Sequence, residues 1–498
     1  MDTGPIHSGS HLKKLFKNSS LYFLSSMLSK MSSLVLLQVL TKTLHLQQYG
    51  VLANLLSVIS FMSIMVSLYM DSALGRFYFD NNSSDEKLKN LVSTVFWFEV
   101  LWGGFITAIF FFISRFYLSS KYGVRFFPTL FLVCCLPIFI QLGLLGKVYL
   151  KNNLKTSLVA LPDVVFFAFT TLISIYFISY CKLGINGRLY GMLIGVIITF
   201  IYYTYFLTSK KLLVFKMNKR LLVESLKYSI PLIPIVFASW VTISSDRLLI
   251  TLFKDVSQSG LYDVAYNISK GIRMFTESIF QVYAPIATSM YVQSKLEFNT
   301  RISRFATHFT LIMLLAGFYF TIYANDIVYY FTSPSFYESY KLVPIIVFGY
   351  CFSAHAKYLN MVFTLRKITY LLSIGYLIQA GINFILNIIF IPHFGMQAAA
   401  WSTTASLIFL MLWSGYWFLK YEGVKFEWRK LVDIHVIIII MLLYYYFIIQ
   451  HISLDRVPML FVKFFITVPL IVFLVLYRKI IDPLKIFETI APSINKPR

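Results

Sequence analysis

Acidic residues are scarce in this 498-residue chain: 21 Asp and Glu stand against 44 Lys and Arg, and the four types together make up only 13% of it. Soluble domains carry about 25%, so the chain lacks the polar surface of a water-facing globule. Cysteine is almost absent. Cys134, Cys135, Cys181 and Cys351 show no C-x-x-C spacing, which leaves no disulfide or thiolate framework. The histidines include no H-x-x-x-H pair, so zinc is unsupported, and neither a metal nor a cofactor is expected. No polar stretch is long enough to fold alone, which argues against a nucleotide-binding or catalytic domain. A cleavable signal peptide is not expected either: the first apolar run is too long for one and reads as a retained signal-anchor.

What the chain has in excess is apolar sequence, at 58%. Runs of about 20 residues recur, the length that crosses a hydrocarbon core of about 30 Å. The short alternating segments of a β-barrel do not occur. The expected fold is an all-α polytopic membrane protein of about fourteen transmembrane helices. The spans fall near 19–41, 50–75, 91–114, 126–149, 157–180, 188–209 and 228–252, then 258–284, 304–325, 342–364, 368–392, 396–419, 431–450 and 457–477. The connections at 76–90, 210–227 and 286–303 read as short amphipathic or polar links.

The net charge of +23 is distributed by topology. Bases gather on one side of the spans, as in Lys13, Lys14 and Lys17, or Lys210, Lys211, Lys216, Lys219 and Arg220. By the positive-inside rule that side is cytoplasmic, and both termini lie there. Anionic lipid is the expected contact of these segments, and nucleic acid is not expected.

Two self-similarities suggest a repeat. "QQYGVLANLLS" (47–57) resembles "SQSGLYDVAYNIS" (257–269), aligning Gly50 with Gly260, and "CKLGINGRLYGMLIG" (181–195) resembles "PHFGMQAAAWSTTAS" (392–406), aligning Gly184 with Gly395. The offsets, 210 and 211, agree. They divide the chain into a six-helix bundle (1–225), a second six-helix bundle (226–425), and two extra helices with a cytoplasmic tail (426–498). Two such bundles around a central cavity are the pattern of secondary transporters; chance recurrence of loop-flanking glycines is the competing reading.

Charges inside the spans sharpen this. "WVTISSDRLLITLF" (240–253) sets Asp246 and Arg247 in an apolar run, and Lys30, Lys270, Arg273, Lys357, Lys463, Asp71, Glu99, Asp163, Asp263 and Glu277 are similarly placed. A charge at a helix centre costs about 2.5–3.5 kcal/mol to insert, so these groups must meet one another or a watery cavity. Asp263, Asn267, Lys270, Glu277 and Gln281 share one helix face, with Arg273 beside them. Lys30, Arg247, Lys270, Arg273 and Lys357 are the candidate substrate-binding bases, and Lys463 is expected to snorkel to the interface. Asp246, Asp263, Glu277 and Glu99 are candidates for a coupling proton or cation. Structural readings stand beside these: Arg247 pairing with Asp263, Lys270 with Glu277, and Glu99 and Asp163 as lone carboxyls bonding a neighbouring helix. Pro231 and Pro234 early in the seventh span bend it, as a hinge or as a packing kink.

"YSIPLIPIVFASWVTISSDRLLITLF", followed by "SGLYDVAYNIS", resembles a recurring stretch of the polysaccharide transporter family, the O-antigen and capsule flippase branch of the multidrug/oligosaccharidyl-lipid/polysaccharide exporter superfamily. "YGVLANL" and "FGMQAAAWSTTAS" resemble others. The resemblance implies two six-helix bundles working by alternating access in the bacterial inner membrane. It implies as cargo an undecaprenyl-diphosphate-linked oligosaccharide, moved from the inner to the outer leaflet. Membrane lipids, a glycan polymerase and other assembly proteins would be its partners. The family's Asp-Arg pair falls on Asp246 and Arg247. The physics suits that cargo, because a diphosphate and sugar hydroxyls need a polar, cationic interior. Alternatives are a drug/cation antiporter of the same superfamily, which would favour acids in its cavity, and a membrane glycan polymerase, which would need a larger extracytoplasmic loop.

Overall fold

Long apolar runs with few breakers inside them dictate helices, and helices are what the computed structural model contains. It describes residues 34–81, 84–153, 155, 157–448 and 455–477, among which there is no strand. Packing divides the chain into two compact units, Met1–Gly260 and Leu261–Arg498.

The first unit holds α1 (Leu34–Thr43), α2 (Leu46–Ser67), α3 (Met70–Asn81), α4 (Asp85–Tyr122), α5 (Phe126–Asn152), α6 (Ser157–Ser179), α7 (Gly184–Ser209) and α8 (Lys219–Phe253). Leu74 and Tyr78 of α3, Leu91 and Val95 of α4, Leu145 of α5 and Tyr203 of α7 meet in its core. Gly187, Gly191 and Gly195 form a stripe on α7 against α6: a Cβ on Gly191 would fall 2.7 Å from the Ser174 Cα. Small residues at this spacing let two backbones approach. α8 is held on α2 by Trp240, whose indole N–H donates to the Ser57 carbonyl at 3.1 Å. By packing α8 lies in the first unit, whereas the sequence division at 225/226 assigns its spanning part to the second half.

The aligned glycines have a structural reason. Gly50 of α2 and Gly260, in the first turns of α9 (Val256–Gln293), sit against each other; a Cβ on Gly260 would lie 3.2 Å from the Gly50 nitrogen. A Cβ on Gly50 would lie 2.0 Å from the Val256 carbonyl oxygen, a backbone atom that no rotamer change can move aside. Gly50→Ala is expected to cost about 1–3 kcal/mol through overpacking. Thermal unfolding in detergent measures this, with Gly104→Ala, which has nothing within 4 Å, as the neutral control.

The second unit continues α9 and adds α10 (Lys295–Ile322), α11 (Ala324–Phe331), α12 (Val343–Leu365), α13 (369–394), α14 (396–422), α15 (Trp428–Phe447) and α16 (Arg456–Tyr477). The helical stretch Thr369–Glu422 would be about 80 Å long if straight. It breaks at Gly395, with φ 58° and ψ −137°. Gly184, the glycine aligned with it in the sequence, also takes a positive φ, of 54°. The expected link at 286–303 is helical instead: α9 runs on to Gln293, and the Ser294 hydroxyl caps α10 by accepting from the Glu297 N–H at 3.3 Å. Phe298, Ile302, Phe309, Tyr358, Phe363 and Phe418 form one core. Leu311 and Phe318 meet Ile434, Ile438, Met441 and Ile471, which fastens α15 and α16 to α10.

Among the described residues nine helices are long and apolar enough to cross a membrane, or ten if the bent pair Pro334–Lys341 and Val343–Leu365 is one span. The protein is an all-α, multi-pass membrane protein. The count of fourteen is not reached on this measure. The first span lies mostly outside the described residues, α9 and α16 are not among the helices counted, and Thr369–Glu422 enters as one helix although it contains a break.

Candidate functional site

A spanning helix tolerates charges when they satisfy one another, and α9 does this along one face. Asn267 Nδ2 donates to Asp263 Oδ2 at 2.7 Å, and Lys270 Nζ donates to Asn267 Oδ1 at 2.8 Å. The same ammonium lies 4.9 Å from the Tyr266 ring centroid, close enough for cation–π attraction. One turn on, Arg273 Nε pairs with Glu277 Oε1 at 2.9 Å. Glu277 thus bonds Arg273, four residues away on the same helix. Tyr266 and Tyr350 act electrostatically on the Arg273 guanidinium, and Arg273 on Tyr376. The stripe is half-buried, not sealed. It can present an ammonium, a guanidinium and aromatic faces to a polar anionic ligand. Lys357 lies on α12 two turns beyond Tyr350; it is exposed and makes no ion pair among the described residues.

In the first unit, α8 changes its winding before the Asp-Arg pair. A 3₁₀ turn at Ile230–Leu232, built around Pro231, is followed by an α-helical stretch and then a π-turn at Val241–Ser245. Such turns are common at functional positions. Asp246 and Arg247 open the last α-helical stretch and are 0% and 3% exposed. Arg247 Nη1 donates to the Ile243 carbonyl.

A second break lies between α2 and α3. Leu68 and Tyr69 both take left-handed φ, 45° and 61°, although neither is glycine, a conformation that stores strain. The broken hydrogen bonds find substitutes. The Tyr69 N–H donates to Ser67 Oγ at 3.1 Å, and the Met65 carbonyl accepts from the Trp102 indole at 3.0 Å. Trp102 and Gly103 bring α4 against this break, with a Cβ on Gly103 falling 2.9 Å from Val66. Glu99, one turn before them, is 0% exposed, and neither carboxyl oxygen has a hydrogen-bond partner among the described residues. Asp71, in the first turn of α3, is the charged group that acts on it.

Other expected residues find different roles. Lys30 lies outside the described residues. Asp163, weighed as a lone carboxyl, bonds Lys147 Nζ at 2.6 Å and accepts from the Tyr203 hydroxyl at 3.0 Å. Lys463 does not snorkel. It is 5% exposed and pairs with Asp326 Oδ2 at 2.6 Å, with the Ile322 carbonyl also accepting from it at 3.0 Å. The pair ties α16 to α11, because a carboxylate buried nearby is a better partner than a distant interface. Sequence reading missed a neutral cluster: Tyr262 and Asn383 both bond Thr403 Oγ1, and Asn387 donates to Asn383, all buried. The four-residue spacing of the two asparagines inside an apolar span was its readable sign. Among the described residues no group of three or more His, Cys, Asp or Glu could hold a metal.

A family model described as polysaccharide biosynthesis protein matches residues 39–341. Among solved structures, the chain is similar to the lipid II flippase MurJ in an inward closed conformation, at 15% identity and TM-score 0.72, covering 93% of this chain and 100% of that one. It is similar to an inward-facing multidrug resistance MATE family transporter of the MOP superfamily, at 13% identity and TM-score 0.63, covering 81% and 94%. It also resembles a MOP superfamily transporter from Pyrococcus furiosus described by a reversed polarity of its binding pocket, at 12% identity and TM-score 0.58, covering 82% and 96%. At these identities the likeness establishes the fold alone. No curated protein matches the chain.

Proposed function

The chain belongs to the polysaccharide biosynthesis protein family, and from that premise we propose that it is a flippase for undecaprenyl-diphosphate-linked oligosaccharide. It carries an O-antigen or capsule repeat unit from the inner to the outer leaflet of the bacterial inner membrane by alternating access, with both termini cytoplasmic. The observation that carries this reading is the stripe on α9, where Lys270 and Arg273 are held in a spanning helix amid tyrosine rings. A drug cation would be repelled by these bases. A diphosphate would be held by charge-assisted bonds, and tyrosine faces suit sugar rings.

In this reading Lys270, Arg273, Arg247, Lys357 and Lys30 serve the cargo, and no residue is assigned to catalysis. Glu99, Asp246, Asp263 and Glu277 are the groups through which a proton or sodium ion would drive the cycle. Glu99 has the best claim to a proton, since a buried carboxyl without a partner is far cheaper to keep neutral. The test is transport of a fluorescent undecaprenyl-diphosphate oligosaccharide across proteoliposome membranes. Transport is expected with the wild-type protein. If no such lipid moves under any ion gradient while small organic cations do, the flippase reading is replaced by the drug-antiporter one.

A further inference from the structure

The positive-inside rule leaves one end of the first unit unexplained. Residues 114–126 and 180–188, at the end away from the basic cytoplasmic segments, carry Arg115, Lys121, Arg125, Lys182 and Arg188 and no Asp or Glu. A membrane protein that concentrates its bases on the cytoplasmic side gains nothing in topology by adding an uncompensated group opposite.

These segments border an open surface pocket of about 420 Å³. Arg125 and Lys182 stand in its wall with Gln48, Thr129 and Asn186, and Thr129 Oγ1 donates to Asn186 Oδ1 at 2.7 Å. The first turn of α7, Gly184 to Asn186, forms one side, adding the partial positive charge of a helix N-terminus. Lys182 takes φ 53°, left-handed for a non-glycine residue. Just behind, Arg188 donates to Ser174 Oγ at 2.9 Å, and no carboxylate among the described residues pairs with it. The two charged residues in the lining, Arg125 and Lys182, are both positive.

Its depth is marked as well. Phe127 lines the pocket and is 69% exposed, and Phe116 and Tyr180 nearby in sequence are 73% and 79% exposed. Tyrosine rings at a helix end gather at the level of lipid headgroups, which fits Tyr180. The volume suits a headgroup or a diphosphate and is too small for a face of another protein.

We propose that this pocket is a second binding site, taking an anionic phosphate ester at the lipid–water boundary through Arg125 and Lys182. Two sources share that chemistry, a resident anionic phospholipid and the diphosphate of the lipid-linked cargo. The side of the membrane it faces rests on the cytoplasmic placement of the termini; the anion site does not, and it would survive failure of the flippase reading.

The experiment is native mass spectrometry of the detergent-purified full chain, titrated separately with phosphatidylglycerol, phosphatidylethanolamine and undecaprenyl diphosphate. Both substituted residues are exposed, so Arg125→Gln/Lys182→Gln is expected to fold, which an unchanged unfolding temperature checks. It is expected to weaken binding of one anionic lipid molecule at least tenfold while leaving phosphatidylethanolamine unchanged. A loss confined to phosphatidylglycerol assigns the site to resident lipid, and a loss for undecaprenyl diphosphate assigns it to cargo. Wild-type affinity for both anionic lipids, or an equal loss for phosphatidylethanolamine, overturns the proposal.

Discussion

Arg273→Ala is expected to slow flipping of an undecaprenyl-diphosphate oligosaccharide about 10- to 100-fold. The figure follows from the roughly 1.5–3 kcal/mol of a hydrogen bond to a charged group, at about 1.4 kcal/mol per factor of ten. The ion pair with Glu277 engages Nε, which leaves the two terminal nitrogens of the fork for phosphate oxygens. A slow single variant would not decide the matter, since alanine also takes an ion-pair partner from Glu277. The double variant Arg273→Ala/Glu277→Gln separates the two effects. If Arg273 only balances Glu277, neutralising that carboxyl restores transport. If it holds cargo, the double variant stays as slow as the single one when flipping is measured without an imposed ion gradient, where loss of a coupling carboxyl does not enter; that is the expected result. Arg273→Lys should fall between, keeping the charge but not the fork. Recovery of the double variant to near wild-type rates would remove Arg273 from the cargo site.

The sequence made legible whatever depends on period and composition. The polar face of α9 could be read from spacing alone, because a 3.6-residue period forces Asp263, Asn267 and Lys270 onto one side, and the structure links them in that order. Pairing along that face was less legible. Spacing suggested Lys270 for Glu277, and the structure shows a bond to it from Arg273, four residues away. Lys463 was misread because its partner, Asp326, lies 137 residues away, and nothing local announces it. The break at Leu68 and Tyr69 was equally hidden, since neither residue type favours a left-handed φ; packing against Trp102 and Gly103 imposes it. Gly50 and Gly260 were visible as matching anchors, yet their reason, mutual contact at a helix crossing, needed coordinates.

Glu99→Gln is expected to leave the fold intact and to abolish the response of transport to a proton gradient. Glutamine has the shape of the carboxyl without its charge, and Glu99 makes no hydrogen bond among the described residues that the change would break. Stability should therefore be equal to wild type or slightly higher, in contrast to the loss normally caused by altering a buried polar group with partners. The location argues for a working role. A structural carboxyl would be bonded, as Asp163 is to Lys147 and Tyr203, whereas Glu99 faces a strained helix break and a second acid, Asp71. Asp71 acts electrostatically on Glu99, so a proton gained or lost by one is felt by the other. Transport measured with and without an imposed pH difference reads the outcome. The variant should flip cargo at one rate in both, while the wild type speeds up with the gradient. Full gradient dependence in Glu99→Gln would move the coupling group elsewhere, with Asp246, Asp263 and Glu277 the next to replace one at a time.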